Sequence, residues 1–277
     1  MYKKTKKKEN LKHLFKILIL LSSTLFAIEN NPYIGGVTVV ELGKFSIKPK
    51  VYFKAKRVKV IKEDNKNYKA VIGISLKEKT GKKHIVAVGG GVKKHFYFHV
   101  LPKAYKKEFI KLKTNKRVNL SKPDLSRHYK EKAKSKALLK SFNTSLVNDL
   151  NFTVPLKGRL SSPFGKKRYF NNVPKAPHSG MDIAAAKGTP IKAAQSGIVS
   201  IREEFFFTGN NIYLDHGEGV ITLYAHMDAF NVELGDYVQK GDIIGFVGAT
   251  GRVTGPHLHF GVSLNGNSVN PKLFADF

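Results

Sequence analysis

Gly255-Pro256-His257-Leu258-His259-Phe260-Gly261 is the stretch on which the reading of this chain turns. Successive side chains of a β-strand point to opposite faces, so residues two apart share one. His257 and His259 would therefore project side by side while Leu258 faces a core. The flanking glycines and proline favour a strand entered from a turn over a helix. Outward from here the same texture extends back to about Asn151. Short apolar runs, such as Gly197–Ile201, Asn211–Asp215, Gly219–Ala225 and Ile243–Val247, are separated by turn residues, and Gly217-Glu218-Gly219 reads as a hairpin. An all-β domain over residues 151–277 is predicted.

The chain has 10 histidines, and five of them fall between 178 and 259. His178 and Asp182 sit in Pro177-His178-Ser179-Gly180-Met181-Asp182. A helix would put both on one face, but Pro177 and Gly180 oppose a helix. A loop running into a strand can still bring the two side chains to one point. His226 closes the alternating run that includes Tyr224, and taken alone reads as a strand-end or core histidine. Taken together, these motifs within one β domain point to a metal site. Imidazole nitrogen and carboxylate oxygen suit zinc at roughly 2.0–2.2 Å, and a catalytic site keeps one position for water. A neighbouring histidine that is not a ligand can then handle the proton or stabilise the oxyanion. His216, in Asp215-His216-Gly217, reads as a structural or supporting residue, and Tyr224 belongs with it.

The remainder of the chain carries no such constellation. Residues 28–113 form short β-branched and aromatic runs, which predict a small β-sandwich-like domain. His84, His95 and His99 are scattered through it as surface or strand histidines. Residues 114–150 read as a helical connector, with a helix over 121–148. Ser121 and Asp124 resemble a capping box with Pro123 in the first turn, and Leu125, Tyr129, Ala133, Ala137 and Phe142 give a loose apolar stripe. Residues 1–27 read as a secretory signal peptide: lysines, then an apolar core too short for a comfortable membrane span. An uncleaved anchor is the alternative, and would be the protein's only membrane contact. Either way the product is exported, to a periplasm or cell envelope.

The formal net charge is +29, and most of the excess lies beyond the first 27 residues. Such a balance fits solvated lysine faces or attraction to a polyanion. Export argues against nucleic acid and favours a carboxylate-bearing wall. There is no cysteine, so disulfides, cysteine-ligated metal and a thiol nucleophile are excluded.

Residues 161–271 resemble the lysostaphin-type (M23) zinc endopeptidases of the bacterial cell wall. The matching segments are Ser161–Gly165, His178–Asp182, Gly188–Pro190 with Ala193–Gly197, His216–Gly219, Tyr224–His226, Gly235–Gly245 and Thr250–Gly261. The resemblance implies one Zn2+ per chain held by His178, Asp182 and His259, with His226 and His257 as the unliganded catalytic histidines. All five positions match, unlike members that have lost ligands and only activate wall amidases. Residues 32–112 more weakly resemble the β module upstream of the peptidase domain in some epsilonproteobacterial members linked to cell shape. The implied partner is peptidoglycan, and the implied bond is a D-alanyl–meso-diaminopimelate cross-link, with carboxypeptidase activity as an option. The resemblance leaves room for autoinhibition by the N-terminal domain. The competing reading is a zinc-containing module that binds wall or activates an amidase without hydrolysis. A third, from another class, is a carrier domain, since Gly235–Asp242 resembles biotinyl and lipoyl carrier turns. Lys240 lies in the wrong context for the modified lysine.

Overall fold

The computed structural model describes residues 28–63, 66–111, 121–146 and 149–277. Residues 1–27, read from the sequence as a signal peptide, lie outside them. In chain order the strands are β1 (Val37–Lys44), β2 (Lys50–Phe53), β3 (Lys56–Lys62), β4 (Asn67–Gly73), β5 (Gly81–Gly89), β6 (Val92–Val100) and β7 (Lys107–Ile110), followed by helix α1 (Lys122–Leu138). The C-terminal part contributes β8 (Arg159–Ser162), β9 (Lys167–Phe170), β10 (Val173–Pro174), β11 (Met181–Ala184), β12 (Pro190–Lys192) and β13 (Gly197–Phe205). After these come β14 (Gly209–Asp215), β15 (Val220–Phe230), β16 (Tyr237–Val238), β17 (Ile243–Val247), β18 (His257–Leu264) and β19 (Asn267–Val269). The protein is mainly β, as the sequence predicts, with a separate N-terminal β domain. No helix among the described residues is long and apolar enough to cross a membrane.

The N-terminal strands form one antiparallel sheet, ordered β1-β4-β3-β2-β5-β6, which folds over until β1 meets β6. Its core holds Val40, Leu42, Val51, Val60, Ala70, Ile72 and Ile85. The alternation along β1 and β4 explains the continuous apolar run at Ala70–Ile74. Ala70 and Ile72 face this core, while Val37 and Val71 face outward into the larger C-terminal core. A strand buried on both faces loses the polar alternation of a half-exposed one.

The C-terminal strands form a sheet ordered β16-β13-β14-β15-β18-β11-β8, with β12, β17 and β19 off that path. β18 lies between β15 and β11, and its Leu258, Phe260, Val262 and Leu264 are buried. This leaves His257 and His259 on the opposite face, as alternation requires. Of the two placements the sequence left open for His226, strand end or core, the structure has it buried inside β15. There β15 leaves β18 after Ala225 and takes up β17 from Met227. His226 absorbs the change with a φ of 66°, a left-handed conformation uncommon for a residue with a Cβ.

Two further corrections concern the connecting region. The helix stops at Leu138 and does not run to 148. Leu125 and Tyr129 of the expected apolar stripe are exposed, and Phe142 lies beyond the helix, under the Arg57 guanidinium at 4.3 Å. The helix docks instead through polar groups and through Leu138 at its end, which packs against the cluster of Ile201, Phe205, Tyr213 and Ile221. Glu131 is buried and accepts from the Phe206 N–H with both oxygens, at 3.0 and 3.1 Å, while Lys134 pairs with Glu203. Ser121 does cap the helix, accepting from the Asp124 N–H at 3.2 Å. β7, which the sequence groups with the N-terminal module, pairs in parallel with β9 of the C-terminal part.

Beside the apolar packing of Val37 and Val71, the two sheets meet through a polar junction. Glu218, in the β14–β15 turn, is buried between Lys59, 2.9 Å away, and Lys48. Asn265, after β18, accepts from the Gly73 N–H at 2.7 Å. This junction sits at the end of β18 away from its histidines. At about 3.3 Å per residue, the six residues from His259 to Asn265 span roughly 20 Å.

Candidate metal centre and catalytic cleft

Asp182 on β11 stands opposite His259 on β18 and opposite Ser162 on β8. The ladder thus fixes two of the expected donors before any side chain is considered. His178 reaches them from the loop before β11, which is held by the His178 N–H to Lys166 carbonyl and the Gly165 N–H to His178 carbonyl hydrogen bonds, at 3.0 and 2.8 Å. Asp182 Oδ1 lies 3.0 Å from His178 Nε2 and 2.8 Å from His259 Nδ1, and those two nitrogens are 3.1 Å apart. Among the described residues, His178, Asp182 and His259 are the group of three donors close enough to hold one ion.

Proton accounting favours a cation at this triangle. His178 Nδ1 lies 2.9 Å from the Pro163 carbonyl, which can only accept. A neutral ring therefore donates from Nδ1 and turns a lone pair on Nε2 towards a carboxylate, an arrangement a metal ion relieves. Two imidazole nitrogens and one carboxylate oxygen form a donor set suited to zinc with one position left open. Burial raises the Asp182 carboxyl, but the facing His178 and His259 rings more than offset it and hold it well below the usual carboxylate range. Burial pushes the His259 ring down.

His226 and His257 complete the cleft. Their rings are 4.8 Å apart, and each Nδ1 is tied to a backbone carbonyl at 2.9 Å, Thr250 for His226 and Gly255 for His257. Both therefore keep Nε2 for the cleft, and that of His257 lies 3.9 Å from Asp182 Oδ1. Burial, then the neighbouring His259, lower His226 to about 4, so it is neutral at pH 7. The structure thus brings together all five residues singled out from sequence. His216 and Tyr224 lie elsewhere. The buried His216 ring contacts the Ser196 carbonyl at 2.8 Å and the Thr222 hydroxyl at 2.7 Å, and Thr222 reaches the Tyr224 hydroxyl at 3.2 Å. Tyr224 in turn accepts from the Ala194 N–H at 2.7 Å, so the chain of bonds braces the sheet.

Several further residues shape the site, and apart from Gly180, whose opposition to a helix is legible, they carry no signal readable from sequence. A Cβ on Gly180 would lie 2.8 Å from the His259 ring, so only glycine lets the loop approach. The Thr208 carbonyl accepts from the His226 N–H at 2.9 Å, and the Arg252 N–H donates to the Phe207 carbonyl at 3.0 Å. These bonds join the turn gripped by Glu131 to the loop that holds His226. Arg168 approaches Asp182 from β9.

Comparison with known proteins agrees with this geometry. Residues 176–271 match the profile of peptidase family M23, and residues 30–103 match that of the peptidase family M23 N-terminal domain. A solved structure of a protein assigned to peptidase M23 from Pseudomonas aeruginosa superposes with a TM-score of 0.76 at 36% identity, covering 89% of this chain and 96% of that one. The chain belongs to peptidase family M23. It is also 44% identical over 113 residues to the DD-carboxypeptidase/endopeptidase Mpg of Neisseria meningitidis, covering 41% of this chain. It is 38% identical over 120 residues to the peptidoglycan DD-endopeptidase ShyA of Vibrio cholerae, covering 43% of this chain. The matches span 26% and 28% of those two relatives' own lengths.

Proposed function

We propose that this protein is a zinc-dependent endopeptidase that hydrolyses stem-peptide cross-links of peptidoglycan outside the cytoplasm. The observation that carries the proposal is the convergence of His178, Asp182 and His259 beside His226 and His257, with both latter rings tied down through Nδ1. When bound, zinc supplies Lewis acidity and brings the pKa of water near 7. His178 and His259 would hold it through Nε2 and Nδ1, and Asp182 through Oδ1. His226, neutral and fixed by Thr250, takes the proton of the attacking water at Nε2. His257, whose Nε2 faces the same space, would in its doubly protonated form donate towards the oxygen on which charge develops, and His226 then hands the proton it took to the leaving amine. No covalent enzyme intermediate is needed.

The DD-endopeptidase names of the Neisseria and Vibrio relatives support a D,D-peptide bond of peptidoglycan as substrate, for which a D-alanyl–meso-diaminopimelate cross-link is the proposed case, and an envelope location. The polar junction with the N-terminal sheet, on the order of 20 Å from the histidines by strand rise, supports a site that its docking leaves open. Digestion of purified sacculi, with and without chelator and read by mass spectrometry of muropeptides, tests this. Chelator-sensitive conversion of cross-linked dimers to monomers is expected. Intact dimers despite bound zinc would favour the wall-binding or amidase-activating alternative.

A further inference from the structure

The two oxygens of Asp182 keep different company. Oδ1 faces His178 and His259. Oδ2 faces Arg168, whose Nη2 lies 3.8 Å away. That Nη2 also donates to Ser162 Oγ at 3.2 Å, and Ser162 is the ladder partner of Asp182. On its other side Arg168 meets Glu108, with Nε 3.4 Å from Oε2. Glu108 stands opposite Arg168 in the parallel β7–β9 pairing, and its remaining oxygen is held by Lys166. A guanidinium thus lies between two carboxylates, one of which belongs to the metal triangle; its hydrogen bond goes to Ser162, and both carboxylates meet it at ion-pair distance. Residues 108 and 168 lie outside both matched ranges, 30–103 and 176–271.

A carboxylate can bind a metal through one oxygen or two. Binding through both would add a fifth donor and crowd the position that a catalytic site leaves for water. A guanidinium against Oδ2 opposes that swing, and its planar fork suits the task better than an ammonium. We infer that Glu108 and Arg168 are positioning residues that keep Asp182 a one-oxygen ligand, so that a strand from outside the peptidase domain completes the metal centre. The inference rests on the metal-centre reading above. A plain surface ion pair would pin the 163–177 loop but leave the coordination unchanged, and that difference can be measured.

The test uses the full chain loaded with cobalt(II) in place of zinc, because cobalt absorbs strongly in the visible when four-coordinate and weakly when five-coordinate. Arg168→Gln and Glu108→Gln should both weaken the visible band. The double variant should match Arg168→Gln alone, since Glu108 acts through Arg168. Chelator competition should show metal affinity reduced roughly 10–100-fold, the usual cost of losing an outer-shell partner. Lys166→Gln removes the other partner of Glu108 and should keep the wild-type spectrum. Melting of the metal-free variants near the wild-type midpoint would show that the fold is intact. Wild-type spectra in both Gln variants, additive effects in the double variant, or an equal change in Lys166→Gln would overturn the inference while leaving the metal centre standing. Failure of the wild-type chain to bind cobalt would overturn both.

Discussion

Asp182 and His259 face each other across the β11–β18 ladder, with Oδ1 2.8 Å from Nδ1. Because the backbone pairing sets this distance, the donor pair is built before metal arrives. Asp182→Asn should therefore leave the fold intact but lower zinc affinity by more than the roughly 10–100-fold that loss of an outer-shell partner costs. Competition with a chromophoric chelator measures this, and wild-type affinity in the variant would remove Asp182 from the ligand set.

His226→Ala and His257→Ala should keep zinc and lose turnover by about 10²–10⁴-fold, the range for a positioned acid or base. Muropeptide release against bound zinc is the measurement. Near-normal hydrolysis in both variants would contradict the assigned roles.

Two glycines make a matched pair. A Cβ on Gly180 would press on the Phe260 carbonyl oxygen and, at 2.8 Å, on the His259 ring, and one on Gly73 would press on the Leu264 Cβ at 2.7 Å. Gly180→Ala should weaken zinc binding, whereas Gly73→Ala should cost about 1–3 kcal/mol of stability and leave zinc affinity alone. Urea unfolding and chelator competition on each variant separate the two effects.

The Lys59–Glu218 pair joins the domains with both side chains buried. Removing one partner of a buried pair costs about 3–5 kcal/mol, so Glu218→Ala should lower the unfolding midpoint sharply. Burial raises the Glu218 carboxyl, but hydrogen bonds from Lys48 and Lys59 win and hold it below its ordinary value of 4.5. Its contribution is therefore complete above pH 4.5 and is lost as pH falls through the lower folded value. Wild-type stability followed below pH 4.5, with Glu218→Gln for comparison, checks the sign.

His216 acts in a different window. Burial holds its ring at about 4, against an ordinary 6.5. As pH falls below 6.5 the unfolded chain takes a proton that the folded ring refuses until about pH 4. Stability should drop across that window by on the order of 3 kcal/mol. A flat profile between pH 7 and 4 in wild type, or the same slope in His216→Gln, would contradict this.

The sequence by itself determined the strands of the catalytic domain and the two-residue spacing that puts His257 and His259 on one face, because β periodicity is local. It also marked His178 and Asp182, since a loop entering a strand is written in Pro177 and Gly180. Only the tertiary structure decided the rest. The left-handed turn of His226 arises because β15 changes partners there, which no local pattern encodes. The docking of α1 through Glu131 depends on the Phe206 N–H, 75 residues away. Pairing of β7 with β9 brings Glu108 to Arg168 across 60 residues and beside a metal ligand. Such contacts follow from the packing of distant segments, and the alternation of side chains along one strand carries no record of them.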